Sequence, residues 1–370
     1  MRADGASPRR MVILAEGRLS SLGSKTANAA LLYLQQEVVA VIDSTKEKST
    51  VQELIGIGGD IPLVHSLEEA MQFQPSSLLI GIAPIGGQLP GEWRTIICQA
   101  IEHGLDIISG LHQFFSQDHE FKSLAKKHGV HLHDLRKIPS SHNIIAQGSW
   151  RRRKAKTILT VGTDSNIGKL TTALQIYRNM QQRGMSVAFV GTGQTGILIG
   201  ERGVAVDAVV ADFIAGAVEY EIDKAVNEGY EYIIVEGQGA LTHCGFSGVT
   251  LGLMHGVMPD AMIMCHQPTR EIDWYGLPLI PLDKAIKLHE ELVSVFKKSK
   301  VVGVAINSIG INKDEMQIIA GQMYEQFELP ATDPLRNGAR VFVDALLQYF
   351  SSFTLESHSV ESVEIRDRIY

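Results

Sequence analysis

The chain has 370 residues, more than the roughly 250 to 300 at which a single hydrophobic core stops growing, so two domains are expected. Hydrophobic residues make up 45% of the sequence and charged residues 20%, which excludes a disordered, fibrous or disulfide-stapled chain. The net charge of -7 argues against nucleic acid or an anionic membrane as the main partner, because those surfaces bind clustered lysine and arginine.

The cysteines and the hydropathy pattern indicate an intracellular enzyme. Cys98, Cys244 and Cys265 lack CxxC spacing, which is typical of reduced thiols. No stretch approaches the ~18 continuous apolar residues of a membrane span. We therefore expect a cytoplasmic enzyme that binds neither membrane nor nucleic acid. Its expected partners are a small-molecule substrate and further copies of itself, in a homo-oligomer.

The first part of the chain alternates short β-branched runs with helical periodicity, which is typical of a parallel sheet built from βαβ units. An amphipathic stretch at 93–103 ends at Gly104, as a helix with a glycine C-cap would. The pattern predicts a Rossmann-like parallel-sheet domain over residues 1–145. Its predicted strands are 11–15, 38–43, 78–83, 105–110 and 130–135.

The usual dinucleotide fingerprint of this fold is incomplete. The segment after the first predicted strand, EGRLSSLGSKTA, has only Gly17 and Gly23. Asp43 ends the second strand, where an acid either binds a ribose or stabilises a turn. The loop APIGGQLPG at 83–91 follows a strand end and is either a ligand loop or a glycine turn.

A polar, basic and unpatterned stretch separates the two predicted domains. We place a linker at 146–156 and expect its run of three arginines and a lysine, 151–154, to be solvated. A new βα series over 157–350 predicts a P-loop NTPase-like α/β domain, and the residues 351–370 form a predicted peripheral tail.

The second domain opens with a phosphate-binding pattern. Its first residues read TILTVG-TDSNIGKLTT-ALQIYRNMQQR, a strand, a polar loop and a helix. Backbone N–H groups at a helix N-terminus and a lysine form a cradle for phosphate. The predicted phosphate- or cofactor-binding residues are Thr163, Asp164, Ser165, Asn166, Ile167, Gly168, Lys169, Leu170 and Thr171.

Two departures from G-x-x-x-x-G-K-[ST] bear on metal binding. Thr163 occupies the first glycine position, and Leu170 replaces the hydroxyl residue that normally holds Mg²⁺. Thr171 or Asp164 would have to take over that task. Glu236, at the end of the strand YIIV, is a second candidate: a strand-end acid either orients a cation or water near phosphates or caps a turn.

Five further positions carry candidate chemistry. His243 lies in the loop after Glu236 and is a candidate general base, alongside Glu236 itself. Gln194 and Thr195, in the loop GTGQTG, are candidate substrate contacts. The remaining two, Arg270 and Asn307, follow later strands. The arginine either pairs with a substrate carboxylate or lies on the surface, and the asparagine either reads a purine base or caps a helix.

The histidines and cysteines between 243 and 266 lack the pair spacing of a zinc site, so we expect no metal centre there. In a Mg²⁺-dependent enzyme, Asp164 and Glu236 would be the metal ligands.

Several motifs resemble known families. GTDSNIGKLTT, VEGQG and AIN resemble the dethiobiotin synthetase-like branch of P-loop proteins. LAEG, GIAPIGGQLP, SGLH, GTGQTG, FSGVTLGLMHG and DPLR extend a closer resemblance, over nearly the whole chain, to a bacterial family of unknown function that joins a Rossmann-like domain to this P-loop domain.

The closer resemblance implies N-acetylation of D-glutamate with acetyl-CoA as donor, so the expected substrate resembles an amino acid. In that transferase the P-loop anchors the donor's phosphates, Glu236 or His243 deprotonates the amine, and Arg270 holds a carboxylate. An ATP-dependent ligase or kinase is the alternative, with Glu236 and Asp164 on Mg²⁺ and Asn307 on adenine. A non-catalytic nucleotide sensor is the third reading.

Overall fold

The computed structural model describes residues 9–21, 23–82 and 89–356. The chain folds into two compact units. The first contains the residues up to His142 together with Gly191–Val209, and the second contains Asn143–Val190 and the residues from Val210 onward. Most of the predicted loop 83–91, and the predicted tail from 357 onward, lie outside the described residues.

Each unit contains a sheet of six parallel strands, which confirms the predicted α/β class. The strands are β1 (Met11–Leu14), β2 (Val38–Ile42), β3 (Leu63–Val64), β4 (Ser77–Ile80), β5 (Asp106–Ser109), β6 (Leu132–Asp134), β7 (Lys156–Gly162), β8 (Val187–Val190), β9 (Tyr232–Val235), β10 (Ala261–His266), β11 (Lys300–Ile306) and β12 (Ala331–Thr332).

The helices that connect these strands are α1 (Lys25–Tyr33), α2 (Val51–Ile55), α3 (Leu67–Met71), α4 (Trp93–Glu102), α5 (His119–His128), α6 (Lys169–Gln182), α7 (Gln194–Gly200), α8 (Ile214–Asn227), α9 (Ser247–Val257), α10 (Leu282–Ser294), α11 (Lys313–Phe327), α12 (Pro334–Asn337) and α13 (Arg340–Glu356). In the ranges that the structure covers, none of them combines the length and apolarity needed to span a bilayer.

The first sheet has the order β3-β2-β1-β4-β5-β6, and both of its faces are covered. Along β1, Val12 and Leu14 belong to one hydrophobic cluster, whereas Met11 and Ile13 belong to another. Burial on both faces explains why these strands are continuously apolar. The strand that sequence patterning missed is β3, which has only two residues.

The second sheet has the order β12-β11-β10-β7-β9-β8, with the P-loop strand β7 between β9 and β10. Because all its strands are parallel, the loops that follow β7, β9, β10 and β11 leave from the same edge. That edge is where ligands bind in open α/β sheets.

The predicted solvated linker is wrong at Arg153. Its side chain is only 3% exposed and pairs with Asp223 of α8 at 3.1 Å. The backbone N–H of Ser149 also donates to Glu219 of α8, at 2.6 Å. The sequence pattern gave no sign of this burial, because the acidic partner of Arg153 lies 70 residues later in the chain.

The same contact surface on α8 gives a testable prediction. A Cβ on Gly216 would lie 1.9 Å from the carbonyl oxygen of Ile144. We expect Gly216→Ala to lower the free energy of unfolding by roughly 1 to 3 kcal/mol, because the backbone must shift. Chemical denaturation measures the change.

The matched control is Gly321→Ala in α11, where a Cβ meets nothing within 4 Å. This replacement should leave stability unchanged or raise it by up to about 1 kcal/mol, because alanine favours helix. Equal effects of the two substitutions would contradict the packing seen at Gly216.

Candidate phosphate-binding site

The predicted strand, loop and helix of the P-loop are present as β7, residues 163–168 and α6. Asn166 and Gly168 have φ of 53° and 104°, in the left-handed region. Such a loop turns successive N–H groups into one concavity at the positive end of the α6 dipole. The hydroxyl of Ser165 is buried and has no partner among the described residues, so it fits a phosphate oxygen.

Lys169 is held inside this loop. Its residue is 6% exposed, and its Nζ donates to the carbonyl of Asp164 at 2.7 Å. A Cβ on Gly237 would lie 2.9 Å from Lys169 Cδ, so the backbone after β9 passes directly over the lysine stem. The predicted phosphate lysine therefore lies next to the loop that carries Glu236.

An ion pair fixes the P-loop acid. The side chain of Asp164 has no exposed surface, and its Oδ2 accepts from Arg270 Nη1 at 2.9 Å. The same nitrogen donates to the carbonyl of Ser165 at 2.9 Å, and the other Asp164 oxygen accepts from Ser165 N at 2.7 Å. Arg270, predicted to bind a substrate carboxylate or to lie on the surface, holds the P-loop from the loop after β10, and its contact with substrate stays a prediction.

The acid after β9 is joined to the P-loop through the backbone. Glu236 is 4% exposed, and the N–H of Gly237 donates to Thr160 Oγ1 at 2.9 Å. Thr160 Oγ1 in turn donates to the carbonyl of Lys169 at 3.2 Å. A Cβ on residue 237 would lie 1.7 Å from the Thr160 carbonyl oxygen, so only glycine permits this approach.

Residues after β10 and β11 extend the same edge. Thr163 Oγ1 lies 3.1 Å from His266 Nδ1, and Asn307 N donates to the His266 carbonyl at 2.8 Å. Asn307 Oδ1 accepts from the N–H of Ile309, whereas Asn312 caps α11. The predicted capping role of Asn307 is therefore wrong, and base recognition stays a prediction.

His243 also belongs to this edge. It is 1% exposed, and its neighbour Thr242 donates through Oγ1 to the carbonyl of Thr163 at 3.3 Å. Its ring stacks on Phe246 with centroids 4.5 Å apart and contacts Tyr275 at 5.3 Å. The general-base candidate therefore lies in a segment that is tied to the P-loop.

Leu170, which replaces the usual Mg²⁺-binding hydroxyl residue, and Thr171, which offers the next hydroxyl, differ in burial. Leu170 is 8% exposed, whereas Thr171 is half-buried on α6. Within the described ranges no group of three or more His, Cys, Asp or Glu has the arrangement of a metal site. Asp164 and Glu236 are both buried, and the former is already paired with a cation.

The candidate substrate contacts Gln194 and Thr195 belong to the first unit. Gln194 Oε1 accepts from Arg136 Nη2 at 2.7 Å, and Thr195 Oγ1 lies 3.4 Å from Thr26 Oγ1. Both side chains thus make polar contacts within the first unit, and their contact with substrate stays a prediction.

Asp43 stabilises a turn in the first unit. Its carboxylate accepts from the N–H groups of Gly17 and Leu19 at 3.0 and 3.1 Å. This arrangement agrees with the turn alternative for the acid that ends the second strand.

Sequence reasoning missed Thr160, Thr242 and Tyr275, and it considered His266 only as a zinc ligand. His266 had one usable signal, since it ends a buried strand next to the P-loop strand. The threonines are ordinary β-strand and loop residues, and no motif in the adjacent sequence identifies them as site residues. Tyr275 lies 32 positions from His243 in the sequence, so no local pattern joins them.

An open groove of about 650 Å³ lies away from this edge, where β11 begins. It is lined by residues of α10, β11 and α13, and none of the predicted site residues contributes to it.

Residues 144–343 match the P-loop domain of the family described as domain of unknown function DUF1611, and residues 44–138 match its Rossmann-like N-terminal domain. This chain belongs to the DUF1611 family. The match confirms the resemblance stated from the sequence motifs.

One solved DUF1611 structure, a family protein from Anabaena variabilis, is 34% identical and superimposes with a TM-score of 0.86 over 92% of this chain and 99% of its own. Two curated relatives are named D-glutamate N-acetyltransferase. The protein from Tritonibacter scottomollicae is 39% identical over 79% of this chain and 88% of its own length. The one from Pseudoalteromonas is 38% identical over 74% and 82%.

The Arg270–Asp164 pair gives the first prediction for this site. We expect Arg270→Ala to lower the free energy of unfolding by about 2 to 4 kcal/mol, because it leaves a buried carboxylate without its cation. Adding Asp164→Asn should restore part of the loss, since the double variant has no buried charge.

An exposed pair is the matched control for this cycle. Lys287→Ala, which breaks the contact with Glu291, should cost less than about 0.5 kcal/mol. Purely additive effects of the Arg270 and Asp164 substitutions would show that the two side chains do not interact in solution.

Two histidines, His266 and His289, give a pH prediction. Burial lowers the pKa of His266 and of His289 to about 4 each. Between about pH 6.5 and pH 4 the unfolded chain binds protons that the native protein does not, so the free energy of unfolding should fall as the pH falls through this window.

On going from pH 7 to pH 5, each histidine should lower the free energy of unfolding by about 1 to 2 kcal/mol. Urea denaturation at the two pH values measures the change. His266→Asn should remove the part of this pH dependence that comes from His266 and keep the part that comes from His289. An unchanged pH dependence in this variant would contradict the lowered pKa of His266.

Proposed function

We propose that this protein is an N-acetyltransferase that transfers the acetyl group of acetyl-CoA to the amine of an amino acid such as D-glutamate. The observation that carries the proposal is the name D-glutamate N-acetyltransferase shared by the two curated relatives, which are 38% and 39% identical. Both matches extend over most of either chain, so they include the P-loop and the loops that surround it.

The chemistry of the P-loop supports an anchor for phosphate without a tightly bound metal. Acetyl-CoA supplies an activated acetyl thioester and carries phosphates remote from it, which need only a cationic cradle. Lys169, the N-terminus of α6 and the unpartnered hydroxyl of Ser165 would hold those phosphates. Leu170 provides no oxygen for Mg²⁺, and Asp164 is committed to Arg270.

Two residues are candidates to remove the proton from the attacking amine. Glu236 emerges from β9 beside the lysine, and His243 lies seven positions further along the same loop. A general base at this position contributes typically 100- to 10,000-fold to the rate. Arg270, which is held by Asp164 and Ser165 through Nη1 and is 20% exposed, stays the candidate partner for a substrate carboxylate.

An ATP-dependent ligase or kinase of dethiobiotin synthetase type is the competing proposal, because the same cradle fits a triphosphate. It requires Mg²⁺ ligands, for which Thr171 and Glu236 are the remaining candidates. A non-catalytic nucleotide sensor would bind phosphate through Lys169 and would not need Glu236.

Acetyl transfer tests the proposal directly. The purified protein, incubated with acetyl-CoA and a panel of D- and L-amino acids, should form an N-acetyl amino acid detectable by mass spectrometry. Turnover of Mg-ATP without an acetylated product from any amine would overturn the transferase assignment in favour of the ligase.

The P-loop assignment has its own test in Lys169→Met, which keeps the apolar stem and removes the charge. We expect CoA affinity, measured by calorimetry, to fall at least about tenfold, which corresponds to about 1.4 kcal/mol. Lys287→Met, at a lysine that is 75% exposed, is the control and should leave the affinity unchanged. An unaltered affinity in Lys169→Met would remove the P-loop from cofactor binding.

A further inference from the structure

The contacts of His243 indicate which tautomer its neutral imidazole adopts. Its Nδ1 accepts a hydrogen bond from the backbone N–H of Gly245 at 3.2 Å. A neutral imidazole has one donor and one acceptor nitrogen, and the partner of one nitrogen fixes the state of the other. With Nδ1 as the acceptor, the ring proton of neutral His243 lies on Nε2.

That donor has no protein partner. Nε2 of His243 is buried and makes no hydrogen bond to any of the described residues, while the whole residue is 1% exposed. A buried N–H without an acceptor costs folding free energy, so native structures rarely keep one without a reason such as a ligand.

The ring itself is held firmly. Phe246 stacks on it with an interplanar angle of 19°, and Tyr275 covers it at an angle of 57°. A ring stacked at 19° presents its face to the imidazole face, so Phe246 does not accept from an in-plane N–H. The imidazole is therefore fixed in position with its donor unused.

Both segments that enclose His243 are attached to the P-loop. On one side, Thr242 donates to the carbonyl of Thr163. On the other, Tyr275 follows Arg270, which pairs with Asp164. The unused donor therefore belongs to the same group of loops as Lys169 and Glu236.

We infer that His243 is a hydrogen-bond donor to the acyl carbonyl oxygen of the thioester, and that Glu236 is the base. The inference rests on the proposed acetyl transfer. The amine nitrogen bonds to the carbonyl carbon, its proton passes to the Glu236 carboxylate, and Nε2–H stabilises the negative charge on the oxygen. The C–S bond then breaks, and the thiolate leaves with the electron pair and takes up the proton from Glu236.

Two substitutions separate a donor from a base. His243→Gln keeps an N–H donor at the distance of Nε2 but cannot take up a proton. His243→Phe fills the space between Phe246 and Tyr275 and offers neither function. We expect kcat to fall about 100- to 1,000-fold in His243→Phe, as for loss of one oxyanion donor, and at least about tenfold of that loss to be recovered in His243→Gln.

Equal loss of activity in the two variants would overturn the inference and restore His243 as the base. Wild-type activity in His243→Phe would overturn any role for the imidazole in the reaction. The melting temperatures of both variants show whether the fold is retained. If both variants unfold, an NMR measurement on the wild-type protein tests the inference instead.

That measurement is a ¹H–¹⁵N correlation spectrum of the histidine rings in the full-length protein, with His243 assigned from its missing signals in His243→Gln. We expect the neutral ring to have its proton on Nε2 and none on Nδ1. A proton on Nδ1 would overturn the inference. The spectrum requires no acetyl transfer, so failure of the proposed function and failure of this inference are distinguishable.

Discussion

The buried ion pair between Asp164 and Arg270 is the interaction on which the candidate site depends. An unexposed carboxylate is costly unless a cation and hydrogen bonds satisfy it, and Arg270 supplies the charge from the neighbouring loop. The same guanidinium holds the carbonyl of Ser165, so one side chain fixes two consecutive P-loop residues. These contacts define the shape of the loop.

This arrangement changes the chemistry expected of a P-loop. Asp164 is used internally, Leu170 brings no hydroxyl, and Lys169 is covered by the glycine that follows Glu236. What remains is Lys169 at the N-terminus of α6, beside a strand-end acid and a buried imidazole. Such a site suits a reaction in which phosphates fix the position of a cofactor and the bond change occurs elsewhere on it.

The sequence predicted those features that depend on neighbours in the chain. The P-loop was found because strand, loop and helix are consecutive and Lys169 follows Gly168 at the start of the helix. Glu236 was found because a buried apolar run precedes it and glycines follow. The central strands of both sheets have the same local signal, and their ends agree to within about three residues.

Contacts between distant segments could not be predicted in this way. Asp164 and Arg270 are 106 positions apart, and Arg153 and Asp223 are 70 positions apart. A single charged residue gives no periodic pattern that names its partner. For the same reason, Gln194 could not be assigned to the first unit, since its hydrogen bond to Arg136 joins residues 58 positions apart.

The metal dependence of acetyl transfer decides most directly whether this P-loop is a simple phosphate anchor. The initial rate with acetyl-CoA and D-glutamate is measured with excess EDTA and with added Mg²⁺. Equal rates are expected, because the cradle of Lys169, Ser165 and the α6 N-terminus needs no metal. A rate that EDTA abolishes and Mg²⁺ restores would contradict this view of the site.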